Sequence, residues 1–189
     1  LSKLSDIVKE SNADLGIAVD PDVDRLVLVC EDGSFFGEEY TIVAVSKYIL
    51  SNHPGSSVVS NLSTTKAVSD IAHELGAKHF ESAVGEINVV ELMKSTNSII
   101  GGEGSGGVIF SRAHYGRDAL VGIALFLSYL SKLNLSAKEL KLSLPVYYMF
   151  KEKILLKEDV VFNFESFINY NIELCNNNNQ DYLLIDGIK

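Results

Sequence analysis

From Ser57 to Leu133 the chain alternates short apolar runs with amphipathic stretches, and this alternation limits the possible folds more than any other feature. Ser57 to Asn61 reads as a strand, Thr65 to Leu75 as a helix and Lys78 to Ser82 as a strand. Ile87 to Lys94 reads as a helix, Ser98 to Gly101 and Val108 to Ser111 as strands, and Asp118 to Leu133 as a long helix. Alternation at this pitch predicts βαβ units, hence an α/β fold with a sheet covered by helices. Ahead of it, Leu15 to Val19 and Leu26 to Cys30 read as two strands, and Glu38 to Leu50 as a helix with Tyr40, Val43, Ala44 and Tyr48 on one side. SNHPGSS at 51–57 reads as a linker, since Pro and Gly break the helix.

The last forty or so residues hold less material for a core. Leu144 to Leu156 reads as an extended crossover, Phe162 to Leu174 as a helix and Tyr182 to Ile185 as a strand, with the polar run NNNNQ between the last two as a loop. One helix with one or two strands does not make a core. The chain begins at Leu1 and ends just after a strand-like run, so both ends are expected to be cuts.

Composition excludes several classes. A net charge of -9 with no basic window argues against nucleic acid as a partner. The most apolar window, Ala119 to Leu130, is too short to cross a bilayer, and LSKLSDIVKES has no apolar run of the kind a signal peptide needs. Cys30 and Cys175 form neither a disulfide framework nor a metal-ligand spacing, which leaves a reducing cytoplasm as the default location.

Between the first two strands, AVDPDVDRLVLVC sets Asp20, Asp22 and Asp24 two residues apart, followed at once by Arg25. Carboxylates this close resist burial unless something positive sits among them. Alternate residues of an extended segment face one side, so the three could converge on a point if the loop curls. With no His or Cys nearby, three oxygens favour a hard divalent cation, magnesium before calcium, against the competing reading of a solvated acidic turn. An EF-hand register, with Asp20 first and Glu31 twelfth, fails at the sixth position, where Arg25 replaces the required Gly.

A second constellation is IIGGEGSGGVIF at 99–110, with five glycines in seven positions. Bare backbone can approach a ligand closely, and Glu103 and Ser105 are the side chains that offer hydrogen bonds, a combination suited to a polyhydroxy ligand such as a sugar. A tight turn between strands is the alternative, and the Lys-Ser/Thr of a P-loop is missing. A third is Val84-Gly85-Glu86, at a strand-to-helix junction, with His114-Tyr115-Gly116-Arg117-Asp118 ahead of the long helix. Asp118 reads as an N-cap and Glu86 as an acid complementing a helix dipole. Lys66 and Arg117 read either as ligands for an anion or as surface charges.

In this order and at these separations, the residues resemble the α-D-phosphohexomutase superfamily, which includes phosphoglucomutase, phosphomannomutase and phosphoglucosamine mutase. DPDVDR is similar to that family's metal loop, Asp-x-Asp-x-Asp-Arg, and GGEGSGG to its sugar-recognition loop, Gly-Glu-x-Ser-Gly. The resemblance implies a mixed sheet of the family's third-domain type, flanked by partial neighbouring domains. Residues 1–52 would be the end of domain 2, 53–147 domain 3, and 148–189 a linker and the incomplete start of domain 4. It implies that Asp20, Asp22 and Asp24 hold Mg²⁺ with Arg25 in support, and that Glu103 and Ser105 contact sugar hydroxyls. Gly85 and Glu86 fall at another substrate-contacting turn.

The implied reaction interconverts hexose 1-phosphate and 6-phosphate through a phosphoserine, with a glucose, mannose or glucosamine phosphate as substrate. Glu86 and Gly107 each stand where some members have His. The serine loop of the family, of Thr-Ala-Ser-His-Asn-Pro type, is not in the sequence, so the chain alone is expected to be inactive. The alternative is a stand-alone module that binds metal or sugar phosphate without catalysis.

Overall fold

A computed structural model describes residues 1–149. The expected helix Phe162 to Leu174 and strand Tyr182 to Ile185 lie outside the described residues. Leu1–Tyr147 forms one unit.

It opens with helix α1 (Ser2–Ser11), which packs on an antiparallel pair, β1 (Leu15–Val19) and β2 (Leu26–Cys30), in the register Leu15 with Cys30 to Val19 with Leu26. Helix α2 (Glu38–Asn52) follows, then β3 (Ser57–Asn61), α3 (Ala67–Glu74), β4 (Lys78–Ser82) and α4 (Glu86–Thr96). A second hairpin, β5 (Ile100–Glu103) and β6 (Gly107–Phe110), leads to α5 (Ala119–Leu133) and the short α6 (Ala137–Leu142).

The second sheet has the order β4-β3-β5-β6, with β4 and β5 parallel to β3 and β6 antiparallel to β5. The mixed sheet of the sequence reading is present. All five residues of β3 are buried, as a central parallel strand covered on both faces requires. On one face Val59 and Ile109 pack against Val89 and Met93 of α4. On the other, Val58, Ile100 and Val108 join a larger cluster with Ile42, Ile71 and Phe126 from α2, α3 and α5.

The two sheets meet at their edges. Leu26 N donates to Gly106 O at 3.3 Å and Arg25 bridges to Gly107, so β2 starts against the start of β6. Leu26, Leu28 and Cys30, all fully buried, carry the first hairpin into the larger core cluster.

Several boundaries differ from the sequence reading. Helix α2 runs on to Asn52, into the expected linker, while β3 has the expected bounds Ser57–Asn61. Helix α3 begins at Ala67 rather than Thr65, because Thr65 is held as a turn by its own contacts: its N–H donates to Glu39 Oε2 at 2.9 Å and its hydroxyl accepts from Ala67 N. Asp118 is the N-cap expected of it, accepting from Val121 N at 3.0 Å. No described helix is long and apolar enough to cross a membrane.

Candidate functional site

The carboxyl ends of parallel strands are where an α/β sheet offers polar groups to a ligand. Here Asn61 ends β3, Ser82 ends β4 just before Gly85, and Glu103 ends β5. The acidic loop is brought to the same edge by the contact of β2 with the β5–β6 turn.

Within that loop Asp20 acts as an internal clamp. Its Oδ1 accepts from Asp24 N at 3.2 Å and Arg25 N at 3.1 Å, and its Oδ2 accepts from Arg25 Nε at 2.6 Å. Curling the loop this tightly puts Val23 at φ 58°, a left-handed conformation that a β-branched residue rarely adopts. The Val23 carbonyl is fixed from outside the loop, accepting from Ala119 N at 3.0 Å, the first residue of α5.

The result is that one carboxylate oxygen from each of Asp20, Asp22 and Asp24 lies within 4.8 Å of the others. Asp22 is exposed and forms no hydrogen bond or ion pair among the described residues. Asp24 is half-buried, and its Oδ1 has no hydrogen-bond partner among the described residues, Arg25 Nε standing 3.4 Å away. For Asp20, burial opposes ionisation, but the backbone and guanidinium of Arg25 outweigh it and hold the carboxyl well below its usual range. Asp24 moves the other way, raised by burial and by its neighbour Asp20 despite the opposing Arg117.

This donor set fits a magnesium ion. It is all oxygen, it converges, and it contains a buried carboxylate oxygen without a hydrogen-bond partner. Oxygens about 2.1 Å from an octahedral Mg²⁺ lie about 3 Å apart when adjacent and about 4.2 Å apart when opposite, so binding would draw the three together by up to about 2 Å.

The glycine loop is built differently from the expectation. Its bare backbone makes room for the chain's own atoms. A Cβ on Gly104 would stand 2.1 Å from the Glu39 carboxylate, one on Gly106 2.2 Å from Leu26 O, and one on Gly107 2.4 Å from Arg117 Cδ. Gly106 also has φ +88°, which favours glycine by itself.

Glu103 is 6% exposed and heavily engaged. Its Oε1 accepts from Asn61 Nδ2 at 2.6 Å and Gly85 N at 3.3 Å, and its Oε2 accepts from Arg117 Nη1 at 2.5 Å. Four acceptor directions on a carboxylate, less three occupied, leave one on Oε2. Ser105 is half-buried at the tip of the turn. The loop is anchored by Thr64, whose hydroxyl accepts from Gly104 N at 3.1 Å and donates to Asn61 Oδ1 at 2.8 Å.

Gly85 is the N-cap of α4 with φ 114°. Glu86, in the first turn, accepts from Arg117 N at 2.8 Å. Arg117 is therefore the meeting point of the three constellations. Its Nη2 pairs with Asp24 Oδ2, its Nη1 with Glu103 Oε2, and its Nε lies 3.6 Å from Glu86 Oε2.

Sequence reasoning placed Arg117 among possible anion ligands and did not consider Asn61 or Thr64. The carboxyl end of the one strand flanked by two parallel neighbours was the available signal for Asn61. Lys66, the other cation named from sequence, lies 4.0 Å from Asp70 of α3. A polar cleft of about 830 Å³ lined by His53, Lys78 and Arg112 lies at the opposite, amino ends of β3 and β4, and none of the expected site residues lines it.

Comparison with known proteins bears on this geometry. Residues 37–148 match the family described as phosphoglucomutase/phosphomannomutase, alpha/beta/alpha domain III, and residues 1–33 match domain II of the same family. The two matches are separated by residues 34–36, ahead of α2. A phosphoglucomutase/phosphomannomutase of Thermococcus kodakarensis is 36% identical over 153 residues, which is 81% of this chain and 34% of the relative. The chain thus spans about a third of the length of that relative.

Among solved structures, a phosphoglucomutase/phosphomannomutase family protein of Burkholderia thailandensis superposes with a TM-score of 0.71 at 26% identity, over 77% of this chain and 32% of that one. An N-acetylphosphoglucosamine mutase of Aspergillus fumigatus, in complex with GlcNAc-6P and magnesium, shares the fold with a TM-score of 0.55 at 13% identity, over 68% of this chain and 35% of that one.

Proposed function

The chain belongs to the phosphoglucomutase/phosphomannomutase family, and from that premise we propose that Leu1–Tyr147 forms the metal-holding and sugar-recognising wall of a phosphohexomutase cleft. The activity proposed for the intact enzyme is interconversion of hexose 1-phosphate and 6-phosphate through a phosphoserine, with a glucose, mannose or glucosamine phosphate as substrate. The observation that carries this reading is the convergence of the acidic loop, the glycine loop and the Gly85–Glu86 turn on one sheet edge, joined at Arg117.

Asp20, Asp22 and Asp24 would hold Mg²⁺, which when bound supplies positive charge that stabilises a phosphoryl group in transfer. Arg25, half-exposed and already tied to Asp20 through Nε, keeps its terminal nitrogens for a phosphoryl or sugar oxygen. The remaining acceptor direction on Glu103 Oε2 and the hydroxyl of Ser105 suit sugar hydroxyls. Gly85 and Glu86 border the same space.

In domain terms, residues up to the segment before α2 correspond to the end of the second domain, and α2 onward to the third, since α2 packs on α3, α5 and β5 of the larger core. The buried free thiol of Cys30 suits a reducing cytoplasm. The family's serine loop, of Thr-Ala-Ser-His-Asn-Pro type, is not in the sequence, so these residues are read as binding the substrate without themselves transferring phosphate.

Asp22 allows a clean test because it makes no hydrogen bond or ion pair among the described residues that its substitution would break. Asp22→Asn removes a cation ligand, and Mg²⁺ affinity in calorimetry should fall about tenfold or more. The thermal midpoint without added metal should stay unchanged or rise, since repulsion is relieved. Unaltered magnesium affinity would end the metal-site reading.

A further inference from the structure

We propose that Arg117 is a positioning residue that couples the cation-holding loop to the hydroxyl-reading loop, so that a change of charge at Glu103 is felt at Asp24. The inference rests on the reading of this cleft given above and deepens it.

The geometry is that of one rigid fork shared by two carboxylates. Nη1 engages Glu103 and Nη2 engages Asp24, and the side chains involved are only 21%, 8% and 16% exposed for Arg117, Glu103 and Asp24. A planar guanidinium fixes the spacing of two acceptors in a way that the single point charge of a lysine does not. The stem is fixed as well, because it runs through the space a side chain at position 107 would fill, Cδ lying 2.4 Å from that Cβ position. The backbone of the same residue is tied down by Glu86 Oε1 at 2.8 Å. Nε is buried without a hydrogen-bond partner among the described residues, and Glu86 Oε2 at 3.6 Å balances its charge without gripping it.

Two consequences follow. The direction of the last free acceptor on Glu103 Oε2 is set by the guanidinium bonded beside it. The strength with which Arg117 bears on Asp24 depends on how much of its charge Glu103 takes up. When Glu103 loses its charge, Arg117 bears more fully on Asp24 and competes harder with a cation there.

The test is a double-mutant cycle of Asp24→Asn and Glu103→Gln, run with Arg117 intact and again with Arg117→Met. Without added metal, the shifts in thermal midpoint should be non-additive when Arg117 is present and additive in the Met background. In calorimetry, Glu103→Gln should weaken Mg²⁺ binding by about threefold or more with Arg117 present, and by less than about 1.5-fold without it. Arg117→Lys should behave like Arg117→Met in both cycles. Arg117→Gln replaces the Met variant if that one does not fold.

A residue that only supports the fold would lower every midpoint and leave the non-additivity intact in all backgrounds, which would overturn the proposal. So would additivity in the presence of Arg117. Coupled midpoints with no measurable Mg²⁺ binding would overturn the metal-site reading and uphold the coupling.

Discussion

The β1–β2 hairpin places its functional groups on side chains at an exposed turn, whereas the β5–β6 hairpin buries its turn and leaves little but backbone. In the first, Asp22 makes no hydrogen bond or ion pair among the described residues, Arg25 is half-exposed and Val23 sits in a left-handed conformation. In the second, Glu103 is nearly inaccessible and the glycines are pressed against Glu39, Leu26 and Arg117. The first loop is an array of charges that the surrounding fold curls into place. The second is a packing joint with one buried carboxylate at its edge. Charge substitutions should therefore change ligand affinity in the first loop, and changes of volume should change stability in the second.

The largest expected effect is at the joint. Gly106→Ala adds a methyl 2.2 Å from a backbone carbonyl that cannot swing aside, at a φ of +88°, and should cost about 3 kcal/mol or more in chemical denaturation. A cost under about 1 kcal/mol would mean that the joint is looser than described.

The acidic turn should respond with the opposite sign. Val23→Gly relieves a left-handed β-branched residue and should raise stability by about 1 kcal/mol in the absence of metal. A drop would show that the Val23 side chain contributes packing that outweighs its backbone strain.

An effect of similar size sits where the two loops share a helix. Asp118→Ala removes the N-cap of α5 and should cost about 1 kcal/mol near neutral pH. The hydrogen bond from His114, aided by the α5 backbone N–H groups, holds the Asp118 carboxyl below its usual range. Its contribution is thus present above the unfolded value near 3.8 and is lost as pH falls through the lower folded value. The difference between wild type and Asp118→Ala should shrink on acidification, and a constant difference would place the loss elsewhere.

Much of the fold was legible because its signals are local. Ser57 to Asn61 is apolar enough at its centre to be a buried strand, and Lys78 to Ser82 and the long helix behind Asp118 follow from periodicity and capping. Helix α1 was not read, since only Ser5 and Val8 of its ten residues are buried. Helix α6 was missed although Ser136 and Glu139 form a capping box that the sequence displays.

The acidic loop could be read because the spacing of its carboxylates is itself the signal. The glycine loop could be found but not interpreted. What its bare backbone accommodates is Glu39, Leu26 and Arg117, which folding brings from three other elements. Arg117 illustrates the same limit, since a cation ahead of a helix cap looks like any surface charge until its three carboxylates arrive from distant parts of the chain.

The hydrogen bond from Leu26 N to Gly106 O, continued by the bridge from Arg25 to Gly107, also bears on motion. Residue 25 ends the acidic loop and residue 107 ends the glycine loop, so the two loops are stitched together at their own hinges. A rotation of the first hairpin away from the larger sheet would have to unzip that seam and expose Leu26. A rigid-body motion of this unit would therefore carry both loops together, with the distance between them held constant.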